Sequence, residues 1–305
     1  MHNAMSKSPG LLAAVHCEKI LNLPRLAVIR FGMTDDDEIE SSIRNAGFLS
    51  PRTNDFLSMY RQQLCAWFDL IEALNALGQR QMHRGVEKAG KLGSLDPINI
   101  SARLFMRTMS NFQGSVLLAE RGMVVEAQTL VRSCYENSFW IGAFFSSPAE
   151  ALEAFQLDET KSQDSRADAF LRIVEEHGDD AALKETREQF ARRREKSKKA
   201  ATGMEKLAKL AGLHTVFAFY KEVSASSAHP SLYSIERYFD KIPGGWRGFV
   251  GGPDTKENVA LALNLACHAV ICALAAFGQH IGPSEDDQKL FDLDKNYKVL
   301  AGVVE

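Results

Sequence analysis

Paired cysteines, glycine-rich nucleotide fingerprints and an excess of one charge are all missing from this sequence. Its five cysteines (Cys17, Cys65, Cys134, Cys267 and Cys272) are odd in number, form no C-x-x-C pair and have no histidine or aspartate at zinc-ligand spacing. A disulfide scaffold and a zinc site of that kind are therefore excluded, and reduced cysteines in a cytoplasmic protein are expected. Nine prolines and 21 glycines are too few for collagen-like or low-complexity architecture. No G-x-G-x-x-G and no G-x-x-x-x-G-K-[ST] occurs, which removes dinucleotide-binding and P-loop readings. H-E-x-x-H and G-x-S-x-G are absent too, so the sequence offers no metal site, no cofactor and no serine nucleophile of known pattern. A formal charge of −3 leaves no global basic field to hold nucleic acid non-specifically.

What is present is an ordinary core. The 305 residues are 45% hydrophobic and 25% charged, enough apolar surface to fold. The N-terminal stretch carries only a short apolar patch interrupted by His16 and Glu18, which does not read as a signal peptide. From Val259 to Phe277 the chain has 19 residues without a formal charge, just long enough to span a bilayer. Alanine dominates that run, and Asn264 and His268 sit near its middle. In hydrocarbon each polar group costs a few kcal/mol that alanine does little to offset, so a buried core helix is expected, and no membrane.

Along the chain, residues 1–50 are an irregular N-terminal segment, with Pro24–Phe31 as a short strand and an acidic helix start ending near Gly47. From Asn54 to Leu77, apolar residues recur at three- and four-residue steps, predicting one long amphipathic helix. A looser stretch from His83 follows, then a helix from near Pro97 to Glu120 that Gly122 breaks. The next helix runs from Val124 to Phe145. Ser147 as N-cap and Pro148 at the first helical position restart another, to about Glu176. Residues 183–210 read as a charged helix or helix pair with few apolar anchors. A further helix runs from about Thr215 to His229-Pro230, a glycine-rich loop occupies Ile242–Asp254, and the apolar helix starts near Thr255. The expected fold is all-α: one up-and-down bundle of about seven or eight helices over residues 51–285, followed by a C-terminal tail, 286–305.

Two segments carry candidate chemistry. Arg132 and Glu136 lie four apart on a helix that is apolar around most of its circumference, so a charged pair there must be matched or used. Tyr220, Ser224 and His229-Pro230 lie on a helix whose end is rich in small residues. Proline stops regular hydrogen bonding after His229, and the helix dipole there favours the imidazolium, which suits a general acid or base. Elsewhere, Arg192 to Lys199 packs six cations into eight residues and includes Arg193. Trp246 and Arg247 stand on the glycine-rich loop, a composition that suits docking.

An R-S-x-x-E helix (Arg132, Ser133, Glu136) followed roughly ninety residues later by Tyr220-x-x-x-Ser224-x-x-x-x-His229-Pro230 resembles an uncharacterised bacterial all-α family, the domain of unknown function five-six-seven-seven. The likeness covers roughly residues 55–280. It implies a helical bundle in which the two segments face each other, and no settled activity comes with it. A more distant resemblance leads to HEPN proteins, small helical bundles that are often metal-independent endoribonucleases. Their signature is Arg, four to six residues, then His on one helix. Here the one such spacing, Arg172 to His177, is no more than chance supplies.

Two readings stand side by side. In the first the protein is an HEPN-like, RNA-directed toxin or defence effector, a metal-independent ribonuclease. Arg132 binds phosphate, Glu136 orients Arg132 or His229, His229 transfers protons, Tyr220 completes the catalytic set beside them, and Ser224, Trp246, Arg247 and Arg193 contact the substrate. RNA and a second copy of the chain (a homodimer) are then its expected partners. In the second it is a non-catalytic helical binding or scaffold protein, and Arg132, Glu136 and His229 form a structural network.

Overall fold

In a computed structural model of the chain, the residues described are 36–177, 202–227, 232–235, 238–242, 244–249 and 251–304. The helices are α1 (Asp36–Ala46), α2 (Thr53–Gln63), α3 (Cys65–Ala89), α4 (Pro97–Ala119), α5 (Val124–Ser146), α6 (Pro148–His177), α7 (Met204–Leu210), α8 (Phe217–Ser227), the single turn α9 (Leu232–Ile235), α10 (Lys256–Ile281) and α11 (Asp286–Leu300). Short 3₁₀ turns stand at Gly47–Leu49 and His214–Val216. Among the described residues the fold is all-α apart from one small hairpin, β1 (Phe239–Ile242) with β2 (Gly245–Phe249).

Local chemistry explains most helix ends. Asp96 caps α4 by accepting from Ile98 N at 2.8 Å, with Pro97 at the first helical position. Thr255 caps α10 by accepting from Asn258 N. Gly122 turns the chain between α4 and α5 with φ +75°, and a Cβ there would stand 2.6 Å from the Pro253 backbone. Consecutive helices α3 to α6 pack on one another across short connections, the up-and-down arrangement.

α10 is the centre. It is long and apolar enough to cross a membrane, and α3, α4, α5 and α11 cover it. Its polar groups are matched inside the bundle: Asn264 Oδ1 accepts from Tyr297 Oη at 2.8 Å, and His268 Nδ1 lies 2.9 Å from Tyr135 Oη. Phe277 of α10 stacks on Phe105 of α4 with ring centroids 4.3 Å apart.

Four features differ from the sequence reading. The single helix expected from Asn54 to Leu77 bends at Leu64, where φ −118° and ψ 26° interrupt it. Neither glycine nor proline marks the place. The bend lets Tyr60 donate to the Asp254 carbonyl and Arg61 grip Glu120, while α3 follows the core. Beyond His83 the chain stays helical to Ala89, because Gly85 is a packing residue: a Cβ there would lie 2.3 Å from the Phe277 ring. The expected glycine-rich loop is a hairpin, with Gly244 at φ +82° making its turn. Within the segment set apart as a tail, α11 packs on α3 and α10 and buries Tyr297. The expected strand at Pro24–Phe31 lies outside the described residues.

Gly85→Ala is expected to destabilise the fold by about 1–3 kcal/mol, since the rigid ring of Phe277 cannot yield. Gly78→Ala meets only the flexible end of Met109, and the gain in helix propensity should offset most of its cost. Urea unfolding of the two variants checks the order.

Candidate functional site

α5 carries fourteen buried residues, among them Val131, Tyr135, Phe139 and Phe144, so its one strip of polar side chains is conspicuous. That strip faces α8, which runs antiparallel to it. Tyr220 Oη donates to Glu136 Oε1 at 3.2 Å, Ser226 Oγ to Gln128 Oε1 at 3.1 Å, and Thr129 Oγ1 to the Ser227 carbonyl at 3.3 Å. The register these pairs set puts the half-buried Ser224 level with Arg132.

Arg132 Nη2 lies 2.7 Å from Glu136 Oε1, and each side chain is 27% exposed. The guanidinium carbon stands 5.7 Å from the Tyr220 ring centroid. Guanidinium and carboxylate cancel in charge, and one carboxylate oxygen serves both Arg132 and Tyr220. Arg132 Nε is buried and has no hydrogen-bond partner. The structure thus brings Arg132, Glu136 and Tyr220 together, with Ser224 one turn along. His229 and Arg193 lie outside the described residues. Trp246 and Arg247 belong to β2, where Trp246 pairs in register with Lys241 and Arg247 is the extra residue at a register shift.

Other polar groups escaped the sequence reading. His268 sits among the rings of Tyr135, Phe219 and Tyr297, with centroids 5.8, 4.5 and 5.8 Å away. Its Nε2 is 4.0 Å from Cys272 Sγ. The four-residue steps from Asn264 to His268 to Cys272 mark one helix face and were the available signal. Glu120, almost fully buried, receives Arg61 through both Nε (2.9 Å) and Nη2 (2.8 Å), and Arg121 at 3.1 Å. Asp286, also buried, receives Arg80 at 3.0 Å and Arg84 at 3.5 Å. These carboxylates tie helices together. Their cross-helix partners Arg61, Arg80 and Arg84 were not legible in the sequence, whereas Arg121 beside Glu120 and Lys289 three residues after Asp286 are local.

Burial pushes the thiols of Cys134, Cys267 and Cys272 well up, so none is a ready thiolate nucleophile. Among the described residues, no group of three histidine, cysteine, aspartate or glutamate side chains could hold a metal ion.

The Arg132–Glu136 pair predicts a coupled stability effect. Arg132→Ala and Glu136→Ala should each cost about 1–2 kcal/mol, less than the 3–5 kcal/mol of a fully buried pair because both groups are part-exposed. The double variant should cost clearly less than the sum, and a double-mutant cycle by urea unfolding measures the difference.

Residues 99–245 match a family of unknown function, DUF5677, and all seven residues that carry the resemblance, Arg132, Ser133, Glu136, Tyr220, Ser224, His229 and Pro230, fall inside the matched segment. No curated protein and no solved structure matches the chain. The motif helix α5, its partner α8 and the helices between them all lie in that segment, which is what the chain shares with the family of unknown function DUF5677.

Proposed function

We propose that the protein is a non-catalytic helical binding or scaffold protein in which Arg132, Glu136 and Tyr220 clamp α8 to α5. One observation carries this reading: Glu136 Oε1 is shared by Arg132 and Tyr220, so the three groups close on one another and are neutral together. A phosphate-binding arginine needs its charge free, and a general acid or base needs the reacting group beside it. The guanidinium is instead held against Glu136 and over the Tyr220 ring.

The RNA-directed reading, an HEPN-like metal-independent ribonuclease of the toxin or defence kind, keeps one observation in its favour. Arg132 Nε has no partner, so the guanidinium is not saturated. Under that reading the basic run around Arg193 and the Trp246–Arg247 strand hold the RNA, and a second copy of the chain completes the particle.

Labelled RNA incubated with the protein in the presence of a metal chelator separates the two. The expected result is no cleavage above background by the wild type or by His229→Ala. Cleavage by the wild type that His229→Ala abolishes, with an unchanged unfolding midpoint, overturns the proposal. If RNA binds without being cut, neutralising Arg192 to Arg194 shows whether the basic run contacts phosphates, because the salt dependence of binding then flattens.

A further inference from the structure

At the end of the bundle opposite the α8 clamp, four elements meet around one imidazole. His280, almost fully buried in the last turn of α10, places Nε2 2.9 Å from the Ile141 carbonyl of α5 and 3.2 Å from Ser101 Oγ of α4. From α3, Lys88 Nζ donates to the backbone carbonyl of the same His280 at 2.7 Å, and Arg84 Nη2 donates to Gly282 two residues on at 3.0 Å. The ring packs edge-on against Phe145, with centroids 5.4 Å apart, and Phe145 itself is 46% exposed at the lip of the bundle. Here α10 touches the ends of three helices through one side chain and its own carbonyl.

We propose that His280 is a pH-sensitive latch, closed when its ring is neutral, that releases the ends of α5 and α10 from one another when the ring takes up a proton. The neutral ring donates through Nε2 to Ile141 and fits the site without a charge. Protonation puts a full positive charge in a buried position whose facing charged groups, among the described residues, are Lys88 from α3 and Asp96 from the α3–α4 connection, while Arg84, on the Gly282 carbonyl, is paired with Asp286 of α11. Asp96 is already committed to capping α4. From α4 and α5 the ring meets only the Ser101 hydroxyl, the Ile141 carbonyl and the Phe145 ring, and α10 adds Phe277. Burial, with Lys88 set against a carboxylate already used as a helix cap, makes the charged ring unwelcome.

Burial holds the imidazole below the ordinary histidine value; the Ile141 carbonyl, which favours the charged ring, opposes it, Lys88 adds to the lowering and Asp96 pulls upwards. The unfolded chain therefore binds the proton more readily than the folded one. The latch contributes its full stability above the ordinary histidine range, near pH 6.5, and loses it as pH falls towards the folded-state value. Opening would uncover Phe145 and the apolar ends of both helices, which turns acidity into an exposed apolar surface.

Two measurements on the full chain test this. In the wild type, the His280 ring protons followed by NMR should titrate below the free-histidine range. With the same midpoint, amide hydrogen exchange across residues 141–147 and 277–281 should become about tenfold faster in acid. In His280→Gln, whose side-chain amide can still donate to the Ile141 carbonyl but does not titrate, that acid-dependent exchange should disappear. A ring titrating at or above the ordinary value overturns the latch, and so does acid-accelerated exchange that persists unchanged in His280→Gln. The ring titration needs no variant, so the proposal stays testable if His280→Gln fails to fold.

Discussion

The burial of α10 is the constraint on which the remaining structure depends. A helix with 19 consecutive uncharged residues must be covered on every side, and four helices do so. Once covered, each of its polar side chains must find a partner, because an unpaired buried donor or acceptor costs about 1–3 kcal/mol. Asn264 is matched from α11, His268 from α5, and His280 from both α4 and α5. These three contacts fix how α10 is rotated within the bundle. They also explain why α11 belongs to the core: without Tyr297, Asn264 would face an apolar interior alone.

α5 is the second pivot, and it has two kinds of neighbour. Towards α4 and α10 it offers bulky apolar side chains, with Ser138 and Tyr135 as the polar exceptions. Towards α8 it offers Gln128, Thr129, Arg132 and Glu136, all of which engage that helix or each other. The first half of α8 is held by buried Phe219, Tyr220 and Val223, whereas its last turn is held only by hydroxyl contacts. A trio neutral overall at this seam suits helix docking, with Arg132 Nε left without a partner.

Much of the fold was legible because its signals are local. Pro97 behind Asp96, the break at Gly122, Pro148 after Ser147 and Thr255 ahead of the apolar run all act through hydrogen bonds within a turn or two. The departures came from long-range contacts. Leu64 is bent by what Tyr60 and Arg61 reach, and Gly85 is a glycine because of a phenylalanine nearly two hundred residues away. At the candidate site, the four-residue spacing of Arg132 and Glu136 made their pairing legible. Tyr220 entered through the family motif. Gln128 and Thr129, which carry the remainder of the seam, had no signal, since short polar residues on a helix are ordinary.

By itself, then, the sequence determined the helical class, most helix boundaries and the pairing of Arg132 with Glu136, since periodicity, caps and spacing are properties of neighbouring residues. Only the tertiary structure decided which way the guanidinium leans, which groups share Glu136, and that His280 joins three helix ends. Those are relations between elements far apart in the chain, and packing density and the matching of buried polar groups set them, quantities that no short stretch of sequence contains.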